Sequence, residues 1–537
     1  MTVRRAWARV ASRVAPIAPG LGLALVVAAI AAVMLGSRRP GHWWGDDWAL
    51  YIRQAEGLLN FEPGKVARAN EFTVTHSTGA PFSPALYPWG FPLALALAIP
   101  FVGSSVDDLA IVQVVAAVVF ACAWFGLARP RLGTVAALVG LPAVAMTPVL
   151  LSWGELIQSE WVFLAAAALG LLGLDRLVRR DALLDVTAPL WRAWPLVALG
   201  VWAAFVFEIR REGLAMIAAI GAAQLAALVG ERRRIPWRDV GALGRVAGRV
   251  LVPHVAAGVV TLAIKFALPS VIVPNYEGNT VRNTWRRWDR NVNHVLEIAG
   301  FKKPQMAEPT VFGSTSWATV AIGIWISLAV LGLVLAVSVR ARRDAHLAAY
   351  AAAAFVIGAS AQASLDRYFA TVAPVLTLLA AAALAWLAGV PVARSARLGV
   401  VVPAVVVSLA LGGIVVANGR DARIRLRNTD RILDAGTIEW GAQHPVAREM
   451  FAAVESLTAP DDVVASPKAR SMGWLTGRAS VQADNWRPLP TGLAIALVVT
   501  EPGNGEADQI ARQVAADPAW HEVWRNSRFV LYAPAAS

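Results

Sequence analysis

The chain has 537 residues, of which 57% are hydrophobic and only 16% charged, with a mean hydropathy of +0.54 and a formal net charge of +13. A soluble protein of this length carries about 25% charged residues, so the composition excludes an ordinary soluble enzyme and indicates a polytopic α-helical membrane protein. The basic excess sits mostly in short loops between apolar runs rather than on one soluble face, which excludes nucleic acid as a partner and reads as orienting charge.

The first apolar run, 15–36, follows "MTVRRAWARVASR". It is too long for a signal-peptide core and lacks a convincing cleavage site, so it reads as a retained first span. Next comes "HWWGDDWALYIRQAEGLL", with Asp46 and Asp47 at its head. From Trp48 the apolar positions 48, 51, 52, 55, 58 and 59 form one helical face, with Arg53, Gln54 and Glu56 off it. That pattern describes a helix lying flat at the membrane surface. The segment 86–103, "LYPWGFPLALALAIPFVG", is short and interrupted by Pro88, Pro92 and Pro100, and reads as in-plane or re-entrant.

Further apolar segments follow at 107–128, 132–152, 158–175, 190–207, 212–230, 249–269, 316–339, 345–363, 369–389 and 398–417. Basic connectors at the N-terminus, 129–131, 175–180, 231–238, 340–343 and 394–397 belong in the cytoplasm by the positive-inside rule. From 129 onward they alternate with "GELIQSE", "EIRREG", the loop 270–315, "SLDRY" and everything after 418. Parity then gives about eleven crossings, a cytoplasmic N-terminus, and an outer loop over 37–106 that carries both aspartates. The body is 1–418. The remainder, 419–537, reads as a small exoplasmic α/β domain, with strands in "GLAIALVVT" and "RFVLYA" and helices in "PVAREMFAAVESL" and "ADQIARQVAA". The lone Cys122 lies in an apolar run, has no partner for an intrachain disulfide, and reads as packing.

The charged clusters at span ends all fall on the outer side. They are Asp46 and Asp47; Glu155 and Glu160; Arg210, Arg211 and Glu212; Lys265; and Asp366, Arg367 and Tyr368. The loop 270–315 adds Arg282, Arg286, Arg287, Arg290 and His294. Ionisable groups at membrane level are costly and face cavities or partners. Acids and arginines on one face suit a site that binds an anionic group and needs a base. Each group also has a plain structural reading. One aspartate caps a helix, the glutamates favour helix starts, Lys265 snorkels, and the loop arginines form a solvated or headgroup-facing surface. A cap needs one acid, and the pair supplies two.

Five segments carry a resemblance in order along the chain. In "GDDWALYIRQA", Asp47, Tyr51 and Ala55 fall at four-residue spacing; "LYPWGFPLALA" holds Tyr-Pro-x-Gly-x-Pro; "SEWVFLAAAALGLL" begins a span with Ser-Glu; "IRREGLAMI" holds Arg-x-Glu-Gly-Leu; and "DRYFATVAPVLTLL" holds Arg-Tyr followed by Pro. With a tail containing "APDDVVASPKARSMGWLTGRASV" and "WRNSRFVLY", the chain resembles the GT-C glycosyltransferases over nearly its whole length. These membrane enzymes use polyprenyl-phosphate sugars and include protein O-mannosyltransferases and lipid A aminoarabinose transferases.

The resemblance implies a GT-C fold and an inverting transfer of a sugar from a polyprenyl-phosphate donor to an acceptor hydroxyl. Asp47 is then the base, with Asp46 as alternate or orienting partner. Arg367, Arg210 and Lys265 are candidates for the leaving phosphate, with Arg286 and Arg287 as further ones. Tyr51, Tyr87, Glu155, Glu160, Glu212 and Tyr368, together with Trp43 and Trp44, are candidates for the sugar and acceptor pocket. Adjacent aspartates in place of Asp-x-Asp or Asp-Glu leave open which acid is the base. The resemblance points to no particular cofactor, and a divalent cation on the outer-loop acids stays open. The implied partners are the lipid-linked donor, membrane lipids, and an acceptor glycan, lipid or protein. The Ala-, Arg- and Val-rich composition suggests a bacterial plasma membrane. The competing readings are a polytopic transporter and a non-catalytic assembly protein with a GT-C-like body.

Overall fold

The computed structural model describes residues 18–42, 45–78, 86–185, 189–231, 238–269, 286–301, 310–311, 315–338, 344–361, 365–390, 398–434, 441–483, 492–503 and 508–535. Within them nine helices are long and apolar enough to cross a bilayer, from Ala18–Gly36 to Leu398–Arg431. The pair Thr134–Ala145 and Pro148–Gly154, bent by 66°, brings the number to ten if it is one span, and Ala345–Ser360 is a shorter apolar helix of 16 residues. The bend has a local cause. Thr147 caps the second helix by accepting from the Leu150 amide, and Pro148 at its first position has no amide to continue the first. The Gly90–Val102 helix has 13 residues, about 20 Å of rise, which is too short to cross about 30 Å of hydrocarbon.

The outward faces of the bundle are apolar. On the Val240–Ala267 helix, Leu251, Val255, Val259, Leu262 and Phe266 are all exposed at helical spacing, as lipid-facing positions require. Among the described residues, Arg131 and Asp175, from two basic connectors, meet Asp344 at one end. Asp47, Glu160, Arg210, Glu212 and Arg367 gather at the other.

The Leu398–Asp434 helix has 37 residues, about 55 Å of rise, and passes through residue 418 without a break. Beyond it, helix Pro445–Leu457 opens an α/β unit. Its strands are β3 (Val463–Ser466), β4 (Ala479–Gln482), β5 (Leu497–Thr500), β6 (Trp520–Arg525) and β7 (Val530–Pro534), in the order β4-β3-β5-β7-β6. The β3 strand pairs parallel with β4 and β5, while β7 pairs antiparallel with β5 and β6. Earlier in the chain, β1 (Thr310–Val311) and β2 (Thr315–Ser316) form a two-residue antiparallel ladder.

Val464, Leu497, Val499, Phe529 and Leu531 join one face of the larger sheet to the main core. Ala465, Val481, Val498, Val530 and Tyr532 form a second cluster on the other face, and Phe72 of the Pro63–His76 helix packs against it. The amide of Thr78 donates to Gln482 O at 2.9 Å and the Gln482 amide donates to Ser77 Oγ at 2.8 Å, so the first loop covers the β4 edge.

One expectation is corrected here. The helix after the paired aspartates, Asp47–Leu59, does not turn a polar side to open water. Trp48, Ala49, Leu50, Tyr51, Ile52, Gln54, Ala55 and Gly57 are all buried, and the helix is wedged between Gly90–Val102, Pro63–His76 and Ala469–Thr476. Gln54 sits inside because its amide pairs with both backbone groups of Tyr87, donating to O at 3.0 Å and accepting from N at 3.2 Å.

Candidate active site

Asp46 occupies the cap position of the Asp47–Leu59 helix, but its side chain makes no capping hydrogen bond. It turns away, and Oδ1 contacts the Ser471 amide at 3.2 Å and the Ser471 hydroxyl at 3.1 Å. Asp47 points the other way. Its Oδ1 accepts from the Tyr87 hydroxyl at 2.6 Å and its Oδ2 from Arg367 Nη1 at 2.9 Å. Tyr87 is held on every side. Gln54 pins its backbone, Tyr51 lies against its ring at 4.4 Å, and Arg470 Nη1 donates to its hydroxyl at 3.3 Å.

Arg367 stands on the short 3₁₀ turn Asp366–Phe369, whose Phe369 is fully buried. A Cβ at Gly358 would lie 2.7 Å from Tyr368 O, so only glycine lets the Ala345–Ser360 helix approach this turn. His294 stacks on Phe369 at 6.1 Å, so the Trp288–Ile298 helix of the long loop supports the turn.

Arg210 follows the Trp194–Ile209 helix in extended conformation, and forms the second half of the site. Its Nη1 reaches Glu160 at 2.8 Å and Ser159 Oγ at 3.2 Å, and its Nη2 reaches Glu212 at 2.9 Å. The Tyr368 ring lies 5.5 Å from the Arg210 guanidinium and 5.8 Å from that of Arg367, which links the halves. Gly90 of the Tyr-Pro-x-Gly-x-Pro segment allows the close fit, since a Cβ there would meet the Glu208 and Ile209 backbone at 2.7 Å. Among the described residues, Arg367 Nε, Arg210 Nε and Glu160 Oε2 are buried without a hydrogen-bond partner. Buried polar atoms left unpaired are costly, and they are the atoms available to a ligand.

The neighbouring acids are driven apart in acidity. Burial pushes Asp47 up, but Arg367, the Tyr87 hydroxyl and Arg470 outweigh it and hold the carboxyl below the usual carboxylate range. Burial raises Asp46, and Arg470, Lys468 and Ser471 only partly offset it. Asp47 is the more acidic of the two, and titratable neighbours separated by environment in this way divide their roles.

Several expected residues lie elsewhere. Glu155 is tied to Arg39 at 2.7 Å and to Arg425, a separate cluster. Lys265 has Arg211 and Glu208 as its charged neighbours, a pair 3.0 Å apart. Arg286 is exposed, and Arg287 precedes the first turn of the Trp288–Ile298 helix. An ionisable residue at a span end has the same sequence signature whether it faces a cavity or a local partner, which is why these were grouped with the rest. Trp43, Trp44 and Arg282 lie outside the described residues.

Sequence reasoning missed Gln54, Asn70, Arg470 and Ser471. The signal for Arg470 is slight: one arginine within the small, mostly buried helix "ARSMGWLT". The acids do not converge on a common point. Asp47 uses both oxygens on Tyr87 and Arg367, and Asp46 faces Ser471, so these residues do not fit a divalent cation, and no group of three or more metal-ligating side chains occurs among the described residues.

No known family profile matches the sequence, and no curated protein matches it. Solved structures do. ArnT from Cupriavidus metallidurans, bound to undecaprenyl phosphate, is similar over 96% of this chain and 98% of its own, with a TM-score of 0.53 at 14% identity. The Archaeoglobus fulgidus oligosaccharyltransferase, tethered to an acceptor peptide, is similar over 89% of this chain and 69% of its own, with a TM-score of 0.53 at 13% identity. Both are GT-C membrane glycosyltransferases. The chain has the GT-C fold.

Proposed function

We propose that this chain is an inverting glycosyltransferase that takes a sugar from a polyprenyl-phosphate carrier and delivers it to an acceptor hydroxyl at the outer face of a bacterial plasma membrane. The observation that carries the reading is the Asp47 carboxylate, held between the Tyr87 hydroxyl and the Arg367 guanidinium. It occurs in a fold shared with a structure that holds undecaprenyl phosphate. The distribution of basic connectors supports the outward placement.

The acceptor oxygen bonds to the anomeric carbon as the bond from that carbon to the phosphate oxygen breaks. The hydroxyl proton passes to Asp47, and the electron pair leaves on the lipid phosphate. A general base must reach the hydroxyl within about 2.6–3.2 Å. Arg367 and Arg210 meet the charge gathering on the phosphate, each with a buried Nε that has no hydrogen-bond partner among the described residues. Arg367 also couples the two events. As it turns from Asp47 to the phosphate, the carboxylate loses its main cation and becomes the stronger base. Glu160 Oε2 and Tyr51 line the sugar side, and Asp46 holds Ser471 of the C-terminal domain.

The test is a transfer assay on purified protein with a panel of polyprenyl-phosphate sugars and hydroxyl acceptors, with Arg367→Met alongside. Donor-dependent transfer that the variant loses supports the reading. Binding without transfer across the panel, equal in both proteins, overturns it.

A further inference from the structure

The α/β domain reads as an ordinary appendage, yet it reaches the acids. Its Ala469–Thr476 helix places Arg470, 4% exposed, with Nε on Asn70 Oδ1 at 3.0 Å and Nη1 on the Tyr87 hydroxyl at 3.3 Å. Ser471 meets Asp46 and the Gly45 carbonyl, while the Trp474 indole donates to Glu56 at 3.1 Å and packs edge-on to Trp48 at 5.4 Å. Phe72 in the sheet core and the Thr78–Gln482 contact fasten the same surface. An apolar side chain would fill a docking surface without the desolvation cost of a buried guanidinium. This one sits where it polarises the hydroxyl that donates to Asp47.

We infer that the C-terminal domain is a working part of the acid site, and that Arg470 is a positioning residue which sets the Asp47 carboxylate through Tyr87. Accepting from Arg470 makes the Tyr87 hydroxyl a better donor. The cation also favours the charged form of Asp47. The two adjacent aspartates thereby divide the work: Asp46 receives the domain, and Asp47 receives the effect of its arginine. The inference rests on the glycosyl-transfer reading for its kinetic consequence, but not for its effect on Asp47.

The experiment uses the full chain in detergent. Transfer from a polyprenyl-phosphate sugar and the melting temperature are followed against pH for wild type, Arg470→Met, Arg470→Gln, Trp474→Phe and Asp47→Asn. Arg470→Met is expected to lower turnover by about tenfold or more with little change in donor KM. The acid limb of its pH–rate profile moves up by several tenths of a unit to about one unit, because Asp47 protonates more readily. The acid-side fall in melting temperature moves to higher pH with it. Arg470→Gln, which keeps a hydrogen-bonding head without charge, moves the limb the same way and carries the test if the methionine variant does not fold. Trp474→Phe loosens docking and leaves the limb in place. An unmoved limb and unmoved melting profile in the folded Arg470 variants, or the same shift in Trp474→Phe, overturns the inference. Transfer retained by Asp47→Asn overturns the base assignment instead. If no protein transfers sugar, the melting profiles alone decide the role of Arg470.

Discussion

The two ends of the bundle are built from the same residue types and put to opposite uses. At one end Arg131, 4% exposed in its side chain, binds Asp175 and Asp344 at 2.6 Å each through Nη2, Asp344 again through Nε, and the Leu127 carbonyl through Nη1. Asp175 takes Arg179 as well. Every nitrogen of the Arg131 guanidinium has a partner within the bundle itself. At the other end Arg367 makes one side-chain hydrogen bond, to Asp47, and its Nε is buried without a partner among the described residues. Buried arginine beside carboxylate means a structural lock when every donor is satisfied, and a site when donors are left over.

That contrast is easiest to break at the two arginines. Arg367→Met should lower transfer by about 10²- to 10³-fold, the scale of removing one group that stabilises leaving-group charge. Its effect on melting should be smaller, because Asp47 keeps Tyr87 and Arg470. Arg131→Met should do the reverse. Asp175 keeps Arg179 but loses its buried partner, and Asp344 loses its closest cation; removing one member of such a hydrogen-bonded set costs about 1–3 kcal/mol, so the melting temperature falls while each folded molecule keeps its turnover. Equal losses of stability in both, with turnover per folded molecule intact, would erase the distinction between the ends.

Gln54→Leu is a milder probe inside the site. It strands the Tyr87 amide and carbonyl and should cost about 1–3 kcal/mol, with turnover falling as the tyrosine loosens. Thermal melts and initial rates on one preparation check both effects.

The smallest effect is expected at Asp46. Its folded acidity is weakened by burial, so the ionised form is disfavoured in the native state. Stability from this group is therefore present below its unfolded value, about 3.9, and is lost as pH rises towards the raised folded value. Asp46→Asn removes that loss. The variant should melt at or slightly above wild type at pH 7–8, with turnover within a few fold. A marked drop at neutral pH would show that the Ser471 contact needs the charge.

Much of this was legible in the chain. The basic connectors 129–131 and 175–180 were legible as one group, and the described residues Arg131 and Asp175 do meet at one end of the bundle. Asp47, Glu160, Arg210, Glu212, Arg367 and Tyr368 stood out as polar residues beside spans, where polarity needs a reason, while Tyr87 entered only through the resemblance. Gln54 was misplaced because a polar residue off an apolar stripe is expected to face water, and only the bond pair to Tyr87 shows otherwise. Arg470 lay beyond reach because nothing local says which face of a C-terminal helix will meet a loop some 400 residues earlier. Lys265 and Glu155 show the converse, since their charged neighbours elsewhere in the bundle, Glu208 and Arg211 for one and Arg39 and Arg425 for the other, cannot be read from spacing.

The central claim is that Asp47 accepts the proton. The most direct measurement is sugar transfer by purified Asp47→Asn, with donor binding and melting temperature recorded on the same sample. The account expects transfer to fall by about 10²- to 10⁴-fold while the donor still binds and the fold persists. Transfer surviving in Asp47→Asn but abolished in Asp46→Asn would contradict it.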